Sequence, residues 1–358
     1  MNARSRATLA EIRSGVRALG LDRPATGRLL LELGVHVALL GLGVAGFLLL
    51  EPWSLRAPAL GLALLGHVGV TTNAHVWAHR AGSRSRRFDD VVAFFAGNLV
   101  SGISYLFWHD KHNRRHHGAP NVRGVDPDHD FAPFVALTEL DVAARGGPAR
   151  LWYRWQWLAL PVLLVSMIPL MKLEGVGFAA RELRAGRRRG VALLDLSTLA
   201  MSAIAWWGLP LAVGTLGDAV VLNAAREAFL SYAFFAIFAP AHMPHEAVFL
   251  GRHLTDDVVL AQTITTIDYR VSRIVGFFLS GLQYQLEHHL LPDVSHVHYR
   301  RIQPIVEAAC RDHGYPYRVR SWPEALRGTW AVLRAPKVVH DPELVAPGGV
   351  SPTRWSAS

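Results

Sequence analysis

Cysteine is almost absent from this sequence of 358 residues, because Cys310 is the only one. A single thiol cannot form a disulfide within the chain, and it cannot supply a site in which several thiolates hold zinc or an iron–sulfur cluster. The zinc-protease motif His-Glu-x-x-His is also missing. If the chain binds a metal, its ligands must come from other side chains.

Charged side chains are scarce as well. They make up 18% of the sequence, below the ~25% of an ordinary soluble domain, whereas 51% of the residues are hydrophobic. This balance and the long apolar runs favour one membrane-embedded body over two soluble domains. The net charge of +9 comes largely from arginines outside the apolar runs. We attribute it to a cytoplasmic face lying on anionic lipid and expect no nucleic-acid partner.

The first 28 residues are polar and basic. We expect no cleavable signal peptide, because the first long apolar run begins only near residue 29. Leu9, Ile12, Val16 and Leu19 recur at helical spacing, with arginines on the other faces. Residues 1–28 are therefore predicted to form a basic amphipathic segment lying on the membrane surface. A poorly ordered basic tail is the alternative.

Four apolar runs are predicted to cross the bilayer as two helical hairpins: residues 29–51 with 58–74, and residues 191–215 with 217–241. Two other apolar runs are expected not to cross. The run 91–108 contains several small polar residues, and the run 155–171 contains Gln156 and two prolines. The arginines of 181–190 belong on the cytoplasmic side by the positive-inside tendency, which only four crossings satisfy together with a cytoplasmic site.

The predicted fold is therefore all-α and integral to the membrane, with two transmembrane hairpins and a cytoplasmic helical cap. The membrane domain is assigned to residues 29–320. Residues 321–358 contain several prolines and basic side chains, and they are predicted to form a loosely attached tail.

Histidine is abundant, with 18 residues that cluster at the ends of apolar runs. His75 and His79 are four residues apart in HVWAH, and His112 and His116 repeat that spacing in HNRRHH, followed at once by His117. Residues four apart lie on one face of an α-helix, so each such pair could chelate one ion.

Two further clusters follow later in the chain. QLEHH contributes His288 and His289, and HMPH begins with His242 directly after the last apolar run. All clusters leave the bilayer on the same predicted face. We therefore predict eight metal ligands: His75, His79, His112, His116, His117, His242, His288 and His289. Eight imidazoles suit two ions, and the scarcity of oxygen ligands favours iron over magnesium or calcium.

The residues around these histidines receive supporting roles. Lys111, Arg114 and Arg115 are expected to keep the neighbouring imidazoles neutral by lowering their pKa. Three carboxylates are predicted to accept hydrogen bonds from the outer N–H groups of ligating imidazoles: Asp126, Asp128 and Glu287.

The motifs HVWAH, WHDKHNRRHHGAPN followed by DPD, and GLQYQLEHHLLP together resemble the membrane fatty acid desaturases, a family with three histidine boxes. The similarity covers roughly residues 55–320. Gln285 stands first in the third box, as in the acyl-lipid and front-end branch. The resemblance implies a non-haem di-iron centre, O₂ as oxidant, and an acyl lipid or acyl-CoA as substrate. It also implies an extra ligand after the last crossing, for which His245 competes with His242, and a place for Gln285 beside the cofactor.

Two departures from the family pattern matter. Val76 stands where many front-end members have an aspartate, and no His-Pro-Gly-Gly haem motif occurs in the sequence. We therefore expect electrons from a separate protein, either a ferredoxin or a b-type cytochrome with its reductase. The basic cytoplasmic face would attract an acidic donor of this kind.

Other functions stay open at this point. A related di-iron hydroxylase, monooxygenase or ketolase would carry similar boxes, because the product depends on small differences in substrate position. A metal transporter is the remote alternative, although transporters place their ligands near the middle of the bilayer. His36 and His67 lie inside predicted crossings, where a lone histidine is more often a buried hydrogen-bonding group.

Overall fold

The computed structural model describes residues 1–251 and 255–340 and is mostly helical. The helices are α1 Ala3–Ala18, α2 Thr26–Leu49, α3 Trp53–Ala78, α4 Arg86–Ala93, α5 Tyr105–Trp108, α6 Glu139–Ala143, α7 Gly147–Leu164, α8 Met167–Arg184, α9 Arg189–Val213, α10 Leu216–His242, α11 Val258–Thr265, α12 Arg273–Leu279, α13 Gln285–Leu290, α14 Tyr299–Asp312 and α15 Trp322–Arg334. Two π-helical segments, Phe94–Ser101 and His109–His116, follow α4 and α5, and 3₁₀ turns form at Pro127–His129 and His296–His298. Four short strands pair in parallel, β1 Phe249–Leu250 with β4 Val339–His340, and β2 Asp268–Arg270 with β3 Val319–Ser321.

Three helices in the described part of the chain are long and apolar enough to cross a membrane: α2, α9 and α10. They agree with three of the four predicted crossings. The fourth, 58–74, lies within α3, which has 26 residues but is not among these three. The predicted number of four crossings therefore stays a prediction.

The two runs that were expected not to cross lie in bent helix pairs. The pair 86–101 with 105–116 is bent by 113°, and the pair 147–164 with 167–184 is bent by 72°. Each pair is apolar enough to span only when its two halves are counted together. A bend of this size is compatible with a chain that enters the membrane and returns.

Helices α2 and α3 form a close antiparallel hairpin, because glycine permits their backbones to touch. A Cβ atom on Gly43 would lie 2.3 Å from the backbone nitrogen of Ala63, and one on Gly66 would lie 2.4 Å from that of Leu40. Small residues at such contacts are common where helices pack in lipid, since the gain comes from close van der Waals contact. This contact fixes α3, whose final turn carries His75.

The bend after the first π-helical segment is held by a buried carboxylate of α9. Asp195 accepts hydrogen bonds from Asn98 Nδ2 at 2.5 Å, Ser104 Oγ at 2.5 Å and the Tyr105 backbone N–H at 2.9 Å. Gly102, at the turn itself, has a φ of 72°, which glycine adopts without strain. These contacts direct α5 toward the histidines of the second box.

Helix α1 packs its apolar face on protein, and the expected placement of this segment on the membrane surface stays a prediction. Ile12 and Val16 are buried in one core cluster with Ile302 and Val306 of α14. The amphipathic helix was predicted correctly, and its apolar side packs against α14. We call α1, α11, α13 and α14 the helical cap.

Residues 321–340 are packed against the body. Helix α15 buries Val332 and Leu333, and the Lys337 ammonium donates hydrogen bonds to the carbonyls of Pro244 and Ala247. The remainder of the predicted tail, 341–358, lies outside the described residues, and the predicted division into domains stays a prediction.

Candidate metal centre

The last turn of α3 delivers the first histidine box. His75 lies in the helix and His79 caps its end, so their rings meet with centroids 4.6 Å apart. The His75 and His79 Nε2 atoms are separated by 3.3 Å. The spacing of four residues brings both imidazoles to one place, as the sequence predicted.

The second box lies on the π-helical segment His109–His116 and its next residue, His117. The backbone N–H of His117 bonds the carbonyl of His112, five residues earlier, at 3.0 Å. A π-helical turn therefore places His112 and His117 together, with their Nε2 atoms 3.2 Å apart. His112 and His116 also come together, in a group with Asp128, so the expected pairing of His112 with His116 at one ion stays a prediction.

The eight predicted ligands separate into two groups. The five-histidine group consists of His75, His79, His112, His117 and His288, and the three-histidine group consists of His116, His242 and His289. Within each group, one ring nitrogen per residue lies within 4.8 Å of all the others. Neighbouring residues serve different groups, since adjacent side chains on a helix point in different directions. Such groups are able to hold metal ions. Among the described residues two further, overlapping groups include carboxylates: His112 with His116 and Asp128, and His116 with Asp126 and His129.

Four of the outer ring nitrogens are hydrogen-bonded, whereas His117 Nδ1 has no partner among the described residues. His116 Nδ1 donates to Asp126 Oδ2 at 2.9 Å, and His289 Nδ1 donates to Gln262 Oε1 at 2.9 Å. His242 Nδ1 donates to the Thr265 carbonyl at 3.2 Å, and His288 Nδ1 donates to Tyr299 Oη at 3.3 Å. A proton fixed on Nδ1 leaves the lone pair on Nε2, which is the arrangement that ligating histidines usually show.

Three of the Nε2 atoms that face the interior of the groups have no hydrogen-bond partner in the described part of the chain. The Nε2 atoms of His242, His288 and His289 are buried and accept no hydrogen bond from any described residue. In the five-histidine group the His75 and His112 Nε2 atoms approach to 2.7 Å. Buried polar atoms without partners are costly, and converging lone pairs repel. A bound cation would remove both costs, so these residues fit a metal.

Burial favours the neutral form of these imidazoles, but at His116 it is outweighed by the Asp126 and Asp128 carboxylates, which raise the pKa. Burial lowers the pKa of His117, His288 and His289 well below the ordinary value, and neighbouring imidazoles lower each pKa further. The basic residues of the box have other partners: Lys111 pairs with Asp128, and Arg114 lies 3.0 Å from Asp110. The expected cause, crowding by cations, is therefore secondary to burial.

The predicted carboxylates have different surroundings. Asp126 accepts the His116 hydrogen bond as expected, and Asp128 lies 3.5 Å from the same His116 Nδ1. Burial would raise the pKa of Asp126, but His116 and His129 hold it below its ordinary value, so it stays ionised.

Glu287 does not support a ligating histidine, which corrects its expected role. Its carboxyl accepts a hydrogen bond from Tyr317 Oη at 2.8 Å, and the same hydroxyl lies 2.8 Å from Asp268. Burial and the Asp268 carboxyl raise the pKa of Glu287 well above the ordinary value, so it holds a proton. The reason is direction: Glu287 points away from the side of α13 that His288 and His289 occupy.

The remaining candidate residues lie outside the two groups. Gln285 is buried on α13, and its Nε2 has no partner among the described residues, so its role beside a cofactor stays a prediction. His245 belongs to neither group. His36 and His67 are buried in the membrane body, but the expected hydrogen bond is not found at His67 Nε2, which has no partner among the described residues.

Several supporting residues were not predicted from the sequence. Gln262 and Thr265 of α11 and Tyr299 of α14 each form a hydrogen bond with one of the eight clustered histidines. They come from helices without a recognisable motif, and only the packing of the cap brings them to the site. Asn121 could have been noticed, because it ends the APN that follows the second box.

A mostly apolar cavity opens beside the five-histidine group. It is lined by Thr71, Thr72, Ala74, His75, Ala78, Ala93, Gly97, Asn98, Ile103, Tyr105, Trp108, Phe234 and Phe238. Its walls come from α3, the first bent pair and α10, so it runs between membrane helices toward His75.

The fold and the site together define a helical membrane protein with a histidine-rich centre able to hold metal ions. A sequence model of the fatty acid desaturase family matches residues 28–321, and the chain belongs to this family. Its relatives are named desaturases, which are oxidoreductases, so the resemblance found in the histidine boxes is confirmed.

Three relatives illustrate the similarity. Delta(8)-fatty-acid desaturase 2 of Arabidopsis thaliana is 28% identical, with 83% of this chain and 69% of the relative covered. Delta(8)-fatty-acid desaturase of Euglena gracilis is 27% identical, with 78% and 67% covered. The sn-1 linoleoyl-lipid 6-desaturase of Arthrospira platensis is 26% identical, with 61% of each chain covered. The relatives are longer than the aligned part, and the front-end-like branch is the one that they represent.

Proposed function

We propose that the two histidine groups hold two non-haem irons and that the chain introduces a cis double bond into an acyl chain with O₂. The observation that carries this proposal is the convergence of eight imidazoles, six of them buried, into two adjacent groups. When bound, the metals would supply the oxidising chemistry that removes hydrogen from unactivated methylenes, which no side chain can do.

Iron is the metal that the donor set favours. The ligands are neutral imidazoles, and the carboxylates lie behind them as hydrogen-bond acceptors. Imidazole suits iron, zinc and copper, whereas magnesium and calcium require oxygen ligands. Eight nitrogens spread over two groups also exceed the four ligands of a single structural zinc.

The apolar cavity is proposed to hold the reacting part of the acyl chain. Trp108 and Phe238 stand beside His75 at one end of it, and Ile103 and Phe234 line it within the membrane body. Apolar walls bind a hydrocarbon chain and keep water from the metals. The protein's own contribution is thus to hold one pair of methylenes near the histidines.

The substrate is proposed to be an acyl lipid or an acyl-CoA. Relatives are named for Delta(8) and Delta(5) desaturation and for action on a linoleoyl lipid. These names support a substrate with a long acyl chain, and the cavity between membrane helices supports entry from the bilayer.

We further propose that the protein crosses the membrane four times, with α3 as the crossing that pairs with α2, and that the metal centre faces the cytoplasm. The arginines that precede α9 support this orientation by the positive-inside tendency. Electrons for the reaction would come from a separate ferredoxin or b-type cytochrome. Arg84, Arg86 and Arg87 are exposed shortly after His79 and would attract an acidic donor.

The test is the fatty-acid profile of a host that expresses the chain. Wild type should add one unsaturated product, and His116→Ala should abolish it. His245→Ala is the matched control, because this histidine belongs to neither group, and it should keep the product. Hydroxylated fatty acids in place of the alkene would favour the related hydroxylases. An equal loss of product in both variants would refute the assignment of His116 as a ligand.

A further inference from the structure

Asn121 occupies an unusual position between the second histidine box and Asp126. Its backbone has a φ of 55°, in the left-handed region that asparagine tolerates better than most residues. The side chain is buried, with 1% of its surface exposed. A buried residue in this conformation needs a reason beyond the turn itself.

The reason lies in what its amide group binds. Three backbone carbonyls surround Asn121 Nδ2, that of His242 at 2.9 Å, that of Val248 at 3.0 Å and that of Thr265 at 3.2 Å, and they share its two N–H donors. These carbonyls belong to the end of α10, the residue before β1 and the end of α11. One side chain thus joins three segments that are distant in the sequence.

Two of these contacts lead directly to ligands of the three-histidine group. The Thr265 carbonyl that accepts from Asn121 also accepts from His242 Nδ1 at 3.2 Å. The backbone N–H of Asn121 donates to Asp126 Oδ2 at 2.8 Å, and that same oxygen accepts from His116 Nδ1 at 2.9 Å. Asn121 therefore holds the acceptors that orient two of the three imidazoles.

The five-histidine group has no equivalent link. Over residues 1–251 and 255–340, no hydrogen bond joins Asn121 to His75, His79, His112, His117 or His288. The effect of Asn121 should consequently fall on one group and spare the other.

We propose that Asn121 is a positioning residue for the three-histidine group, which it preorganises through Asp126, the Thr265 carbonyl and the His242 backbone. This inference rests on the proposed function in one respect, namely that the group binds an iron. Residues that orient ligands in this way typically change metal affinity by about 10- to 100-fold when they are removed.

The choice of asparagine follows from two requirements. The position needs a side-chain donor for carbonyl oxygens and a backbone that accepts a positive φ. Aspartate would meet the second requirement but would place a carboxylate against three carbonyl oxygens. Glycine would keep the backbone and remove only the amide, so Asn121→Gly isolates the contribution of the side chain.

The experiment compares wild type, Asn121→Gly and Asn223→Ala, each loaded with isotopically enriched Fe(II) as the purified full chain. Asn223 is the matched control, because its buried amide also donates to backbone carbonyls, those of Trp206 and Ala219, but within the membrane body. Iron per chain and the Mössbauer spectrum are measured for all three proteins.

Wild type should hold two irons with two distinguishable signals, and so should Asn223→Ala. Asn121→Gly should keep one signal and lose the other, or bind the second iron about 10- to 100-fold more weakly. If Asn121→Gly keeps both signals unchanged, loses both equally, or fails to fold while Asn223→Ala remains loaded, the positioning role is refuted. If wild type itself binds no iron, the proposed function fails, and that result is distinct from the others.

Discussion

The close contact between α2 and α3 predicts that a glycine-to-alanine substitution in α2 raises or lowers the stability of the protein, depending on which glycine is changed. Gly43 faces α3, and a Cβ atom there would lie 2.3 Å from Ala63 N and 2.7 Å from the Ala59 carbonyl. Gly41 lies two residues earlier in α2, and a Cβ atom there would have no neighbour within 4 Å. The two positions share a helix and a residue type but differ in what an added methyl group meets.

The expected magnitudes follow from this geometry. Gly41→Ala removes backbone freedom from the unfolded chain and should stabilise the protein by about 0.5–1 kcal/mol. Gly43→Ala gains the same amount but forces the two backbones apart by about 1 Å, and overpacking of this kind costs about 1–3 kcal/mol or more. The atoms of α3 that the added Cβ atom would meet are backbone atoms, so no side-chain rotation can relieve the overlap. The variants should therefore shift stability in opposite directions.

The displacement should also reach the metal centre. Ala63 lies twelve residues before His75 in α3, and a rigid helix transmits a shift along its length. A misplacement of about 1 Å at a reacting site can cost about 100-fold in rate. Thermal unfolding in detergent and the yield of unsaturated product measure the two effects. A Gly43→Ala protein as stable and as active as Gly41→Ala would refute the argument that this contact positions α3.

Two other predictions concern the site itself. Gln262→Leu removes the acceptor of His289 Nδ1 and should weaken iron binding at the three-histidine group by about 10- to 100-fold. Gln262→Glu keeps an acceptor there and should retain most of the metal. Equal iron content in both variants would contradict this role of Gln262. Gly97 lines the apolar cavity, and its added Cβ would have only the Ile103 carbonyl, at 3.9 Å, as a neighbour. Gly97→Leu should therefore fold and disfavour longer acyl chains by about tenfold relative to shorter ones in a mixed-substrate assay, and an unchanged product ratio would show that the chain lies elsewhere.

The sequence was sufficient to predict all eight histidines that converge. Their residue type, their position at the ends of apolar runs and their i, i+4 spacing depend only on local order, which can be read from one sequence. The three described helices that are long and apolar enough to cross a membrane were predicted for the same reason, since hydropathy needs no knowledge of tertiary contacts. Both features depend on short stretches of sequence and not on tertiary packing.

The division of the histidines into two groups could not be predicted, because it depends on a π-helical turn. An α-helical turn brings His112 toward His116, whereas the observed turn also places it beside His117. A π-helical turn is rare, so spacing rules derived from the α-helix do not predict the second contact. The protein partner of α1 could not be predicted for a related reason: an amphipathic stripe shows that a helix has a partner without showing which one.

The hydrogen-bond partners of the clustered histidines could not be predicted from neighbouring positions in the sequence. Glu287 adjoins two ligating histidines in the sequence, yet its carboxyl faces Asp268 and Tyr317. Gln262 lies in an apolar helix without any motif, yet it bonds His289 and also donates from Nε2 to the His117 carbonyl at 2.9 Å. The same glutamine therefore touches one residue from each histidine group. Because α11 carries both Gln262 and Thr265, the relative position of the two histidine groups depends on how this one helix packs in the cap. Sequence motifs for metal ligands do not show how that helix packs.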